Sequence, residues 1–71
     1  SLHMVTEILE AFKRGERNNA EFWLELGGKF IHIQYLALRD KRGTYLGCLE
    51  VGQDATHVRS LQGQRRLLAW E

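Results

Sequence analysis

The chain has 71 residues, 44% of them hydrophobic, and ten basic against nine acidic residues give a net charge of +1. That length is one domain or part of one, burying roughly 60% of its unfolded surface and marginally stable alone; the apolar fraction argues against disorder and the balanced charge against a nucleic-acid surface. One cysteine, Cys48, excludes an internal disulfide framework and points to a cytoplasmic setting, and no apolar run approaches the roughly 20 residues of a membrane span.

Ser1-Leu2-His3-Met4 lacks a signal-peptide pattern. It reads either as a cloning remnant before a start at Met4 or as native sequence. Val5 to Arg14 follows with apolar residues at Val5, Ile8, Leu9, Ala11 and Phe12, the spacing of one helix face. Glu7 and Glu10 early, Lys13 and Arg14 late, suit the helix dipole, and Gly15 is a terminator. Ala20 to Leu26 reads as a strand with Phe22, Leu24 and Leu26 on one face and Trp23 on the other. Gly27-Gly28 is a two-residue hairpin signal. Lys29 to Leu38 is a second strand, apolar enough on both faces for both to meet something. Asp40-Lys41-Arg42-Gly43 is a turn, and Thr44 to Gln53 a third strand. Asp54 or Thr56 offers an N-cap to a helix over His57 to Trp70, with Val58, Leu61 and Leu68 near heptad spacing and Gly63 a weak point. The pattern predicts an α+β fold: a three-stranded antiparallel meander with an N-terminal and a C-terminal helix.

The run YLALRDKRGTYLGCLEVGQDAT resembles the C-terminal half of PAS domains, where an aspartate-x-x-glycine turn joins the last two strands and the final strand ends in aspartate-isoleucine-threonine. Asp40 to Gly43 matches the turn. Asp54-Ala55-Thr56 matches the ending, with alanine in place of isoleucine. VTEILEAFKRGERNNAEFWLELGGKFIHIQYLALRD and LEVGQDATHVRSLQGQRRLLAW are more closely similar to the PAS domain found at the end of bacterial and archaeal proteins that also carry a hemerythrin-like cation-binding domain. The resemblance covers nearly the whole chain. It departs from the family in one respect: the first two strands and first helices have no counterpart, so residues 1–71 are expected to form a single, truncated PAS-like domain, a fragment or a naturally short unit. A lone three-stranded sheet leaves an open edge and poorly covered faces, and a homodimer is the expected remedy.

The resemblance implies a non-enzymatic sensory or protein-interaction module that binds a small ligand or a partner protein and relays through its C-terminal helix. The expected pocket wall is Phe22, Leu24, Ile33, Tyr35 and Leu49; the expected dimer or output helix carries Val58, Leu61 and Leu68. A ligand-free homodimerisation domain is the alternative. The cofactor is open: His3 lies where haem-binding members place a histidine, which also fits a tag residue, and the asparagine-cysteine-arginine motif of flavin-binding members is absent. His3, His32 and His57 fit no zinc spacing, so no metal site is expected. His32 reads as a structural strand histidine and Cys48 as a small buried hydrophobe. Glu21, Glu25 and Glu50 have no nucleophile or base beside them, and solvated strand faces explain them. Trp23, Tyr35, Phe22 and Phe30 read as packing aromatics. Arg59, Arg65 and Arg66 are too few to argue nucleic acid.

Overall fold

The apolar stripe from Val5 to Phe12 forms α1 (Leu2–Lys13), which begins three residues before the expected Val5. The structure is a computed structural model that describes residues 2–68. α1 ends in a paired-carbonyl cap: the Gly15 N–H donates to the Phe12 carbonyl at 3.1 Å and the Glu16 N–H to the Ala11 carbonyl at 3.0 Å. After it come β1 (Asn19–Leu26), β2 (Lys29–Arg39), β3 (Tyr45–Asp54) and α2 (Thr56–Ser60). The expected α+β meander with a helix on each side is therefore present.

The three strands lie in the order β1-β2-β3, each antiparallel to the next. Leu26 pairs with Lys29, and Gly27 and Gly28 take φ of 58° and 80°, a two-residue turn whose twist only such left-handed residues supply without strain. The second turn is held by Asp40, whose Oδ1 accepts from the Arg42 and Thr44 N–H groups, both at 2.9 Å. One irregularity interrupts the pairing: Leu38 opposes Gly47 and Arg39 opposes Tyr45, which leaves Leu46 without a partner.

Directly paired residues share a face. Phe22 pairs with Ile33, Ala20 with Tyr35, Tyr35 with Glu50 and Ala37 with Cys48, which makes one face. Trp23 pairs with His32, Leu36 with Leu49 and Gln34 with Val51 on the other. α1 covers the Tyr35 face. Arg39 follows Tyr35 and Ala37 in the same alternation, and its guanidinium reaches the Phe12 carbonyl at the end of α1. Phe12 is 0% exposed and Tyr35 8%. With Ala55 these are the buried hydrophobic residues among those described, a small core for a chain whose radius of gyration is 16.6 Å where about 11 Å is usual at this length.

The expected helix over His57 to Trp70 is corrected. α2 stops at Ser60, and Leu61 is extended at φ −71° and ψ 144°. Leu61 and Leu68 thus lie beyond the helix, and the last two residues of the expected span, Ala69 and Trp70, lie outside the described residues. Short helices owe their stability to packing of an apolar face. Val58, Leu61, Leu67 and Leu68 are all exposed, so nothing among the described residues supplies that packing, and Gly63 turns the chain left-handed at φ 66°. Among the described residues no helix is long and apolar enough to cross a membrane.

Candidate functional site

The covered face of the sheet is apolar and aromatic. Phe22 and Tyr35 lie 6.1 Å apart between ring centroids, 23° from parallel. Burial pushes the Tyr35 hydroxyl up from its ordinary value, and the neighbouring Glu50 carboxylate adds to the shift. Four of the five expected wall residues, Phe22, Leu24, Ile33 and Tyr35, share this face. Leu49 does not. It pairs with Leu36 on the opposite face, so it cannot line the same wall. The sequence misleads here because β3 is more apolar on its outward row, Leu49 and Val51, than on its inward row, Cys48 and Glu50.

At the end of β3 the chain passes into α2 through a compact set of hydrogen bonds. The Phe30 N–H donates to Thr56 Oγ1 at 2.9 Å, and the Ala55 N–H donates to the Phe30 carbonyl at 2.7 Å. The Thr56 hydroxyl in turn donates to Asp54 Oδ1 at 2.5 Å, and the Thr56 N–H donates to the same oxygen at 3.0 Å. One hydroxyl thus spends its proton on Asp54 and a lone pair on β2. These bonds, with Lys29 Nζ 4.0 Å from Oδ2, hold the Asp54 carboxyl below the usual carboxylate range, the Thr56 hydroxyl contributing most. The expected N-cap side chain is therefore a strand-to-helix tie: Ala55 occupies the cap position, with no side-chain capping bond.

α2 is drawn onto the sheet by Arg59. Its guanidinium lies 4.2 Å from the Phe30 ring centroid, and its Nη2 is 3.4 Å from Glu25 Oε1. This clasp joins α2 to the β1–β2 hairpin. A basic residue two positions after a histidine gave no signal of it in the sequence.

The opposite corner is organised by Arg39, to which the sequence assigned no role. Its Nε donates to Asn18 Oδ1 at 2.9 Å, its Nη2 donates to the Phe12 carbonyl at 2.5 Å, and its guanidinium stacks 5.6 Å from the Tyr45 ring centroid. Beside this corner a cleft of about 380 Å³ is lined by Glu7, Ile8, Ala11 and Phe12 of α1, Arg17 of the connector, and Asn19, Ala20 and Glu21 of β1.

The remaining candidates are scattered. His3 is exposed in the first turn of α1, and no group of side chains that could hold a metal ion occurs among the described residues. His32 Nε2 lies 2.6 Å from Glu21 Oε2 on the outward face, a cross-strand pair that fits its structural reading. Cys48 is a half-buried free thiol on the covered face. Val58 is exposed on α2.

A family model described as a PAS domain matches residues 1–56. A solved structure described as the crystal structure of a C-terminal domain from Streptococcus mutans is 32% identical and superposes with a TM-score of 0.76. The match covers 86% of this chain and 47% of that one, so the chain spans about half the length of the solved relative. No curated protein matches.

Proposed function

The chain belongs to the PAS domain family, and from that premise we propose that it is a sensory module that binds a small ligand or partner at the Tyr35 face and relays occupancy through Asp54-Ala55-Thr56 into α2. PAS domains serve generally as non-enzymatic sensory and signalling modules. The observation that carries the relay is the Thr56 hydroxyl, bonded at once to the β2 backbone and to Asp54. A change in the pitch of β2 at Phe30 moves the N-terminus of α2 through that hydroxyl and the Ala55 N–H, and the Arg59–Phe30 stack moves with it. A hemerythrin-like domain in the same protein is the companion that the sequence resemblance suggests.

The experiment follows backbone amide shifts while a panel of small aromatic ligands is titrated. Ligands that shift Ile33 and Tyr35 should also shift His57 to Ser60. In Thr56→Val the hydroxyl is lost at a cost of about 1 kcal/mol, and the α2 response should weaken while the sheet response remains. Shifts that stay within the sheet in the unmodified chain would sink the relay.

One observation favours a second reading, a homodimer. Trp23, Leu38, Leu49 and Val51 are exposed on the face away from α1, Trp23 by 59%, although an uncovered sheet face is ordinarily polar. Light scattering decides it: a dimer mass that Val51→Lys returns to monomer supports this face as the contact, and a monomer at micromolar concentration removes the reading.

A further inference from the structure

The outer edge of β1 is unpaired among the described residues, because β1 lies at the end of the sheet. The Ala37 N–H donates to the Asn18 carbonyl at 2.8 Å, which fixes the alternation of bonded and non-bonded pairs along β1. Ala20, Phe22 and Leu24 turn their backbone groups to β2. Asn19, Glu21, Trp23 and Glu25 turn theirs away from it, a row of donors and acceptors ready for another strand. The cleft described above opens onto the start of this row. Asn19 and Glu21 belong to one face and Ala20 to the other, so a cavity lined by all three sits at the strand's edge and not above the sheet. α1 forms its far wall.

The side chains say what kind of strand fits. The charged residues of β1 are Glu21 and Glu25, both acidic, with exposed Trp23 between them on the same face. A second copy of β1 paired antiparallel about Trp23 would set carboxylate against carboxylate, which is destabilising. A basic strand meets no such penalty. Glu21 uses only Oε2 toward His32, and Glu25 only Oε1 toward Arg59, so each keeps an oxygen for a further donor. Arg17, at the cleft end of the row, repels a basic residue placed one step further along.

We propose that the β1 edge binds an extended peptide by antiparallel strand addition, and that the peptide carries basic–x–apolar–x–basic residues opposite Glu21, Trp23 and Glu25. Its intervening side chains are small where they enter the cleft between Ala20 and α1. Main-chain bonds supply the affinity and the acidic pair supplies the register. This site is held by the β1 edge and does not depend on the relay through α2.

The test uses acetyl-Thr-Lys-Thr-Val-Thr-Lys-Thr-amide with residue-resolved amide exchange. The peptide should slow exchange at Asn19, Glu21, Trp23 and Glu25 together, a pattern that diffuse charge attraction does not produce. Replacing both lysines by glutamine, or using the protein variant Glu21→Gln/Glu25→Gln, should each weaken binding by up to about fivefold per pair. Both positions are exposed and their existing ion pairs are of the kind that contribute little, so the variant folds. Protection that falls instead on Cys48, Glu50 and Gly52 at the free edge of β3, protection of the β1 row without peptide through self-association, or equal binding by the glutamine variant each overturns the proposal. So does an absence of protection at all four amides.

Discussion

The two ends of β2 are tied down by different means. At the Arg39 end, one half-buried guanidinium holds the Phe12 carbonyl of α1, the Asn18 side chain and the face of Tyr45, beside the fully buried Phe12 ring. At the Phe30 end, Thr56, Asp54 and Arg59 make comparable bonds, but their side chains are exposed and no large residue is buried there. Bonds shielded from water are stronger and cost more to break than the same bonds in solvent. The entry to the sheet is therefore fixed and the exit adjustable. A relay needs that asymmetry, because the element that moves must come from the less stable part of the structure.

The largest effect should come from removing the anchor of the fixed end. Phe12→Ala leaves a cavity where the most buried side chain stood and is expected to cost about 3–5 kcal/mol. That is most of the stability of so small a domain, so the variant should lose its cooperative thermal transition by circular dichroism. A variant that melts within a few degrees of the parent would show that the fixed end is not where the stability resides.

A smaller effect should separate the two ends. Arg39→Gln removes the charge and the fork that reaches Phe12 and Asn18, at a cost on the order of 1.5–3 kcal/mol for charge-assisted bonds. The urea midpoint should fall with little change in slope. Amide protection should fall in α1 while Ala55 and Arg59 keep theirs relative to the strands. Equal loss at both ends would mean that β2 transmits strain along its whole length, and the comparison would fail.

These two residues also mark where the sequence was legible. The strands lie within one residue of their expected bounds, because alternation, the Gly27-Gly28 turn and Asp40 are local signals. Phe12 stood out on the helix stripe for the same reason. The beginning of α1 was placed late, since the apolar stripe that signals the helix becomes regular only from Val5. Arg39 was given no role, because the Asn18 side chain and the Phe12 and Arg17 carbonyls that it reaches lie more than twenty residues away. The C-terminal helix failed for the converse reason: Val58, Leu61 and Leu68 have helical spacing, but spacing describes a face and says nothing about whether a surface exists to receive it. Leu49 was misplaced because the face of a β3 residue depends on its register with β2, which one strand alone does not disclose.

The smallest effect concerns protons, and it divides the exit junction from the covered face by sign. Asp54 has its carboxyl lowered, chiefly by the Thr56 hydroxyl, then by the Thr56 N–H, with Lys29 assisting. The bonds to the ionised form therefore contribute in full above the ordinary aspartate value, near pH 4. They are lost as pH falls through the depressed value. Protection of the amides from His57 to Ser60 should hold constant between pH 7 and about 4 and decline below that, while the strands hold. Tyr35 is raised, first by burial and then by Glu50, so the neutral phenol is favoured on folding. Its contribution is intact below the ordinary tyrosine value, near pH 10, and is lost as pH rises through the raised one. Acid should therefore release α2 before the sheet, and alkali should loosen the covered face. If instead acid exposed the Tyr35 face while α2 stayed protected, the adjustable end would have been assigned to the wrong side of β2.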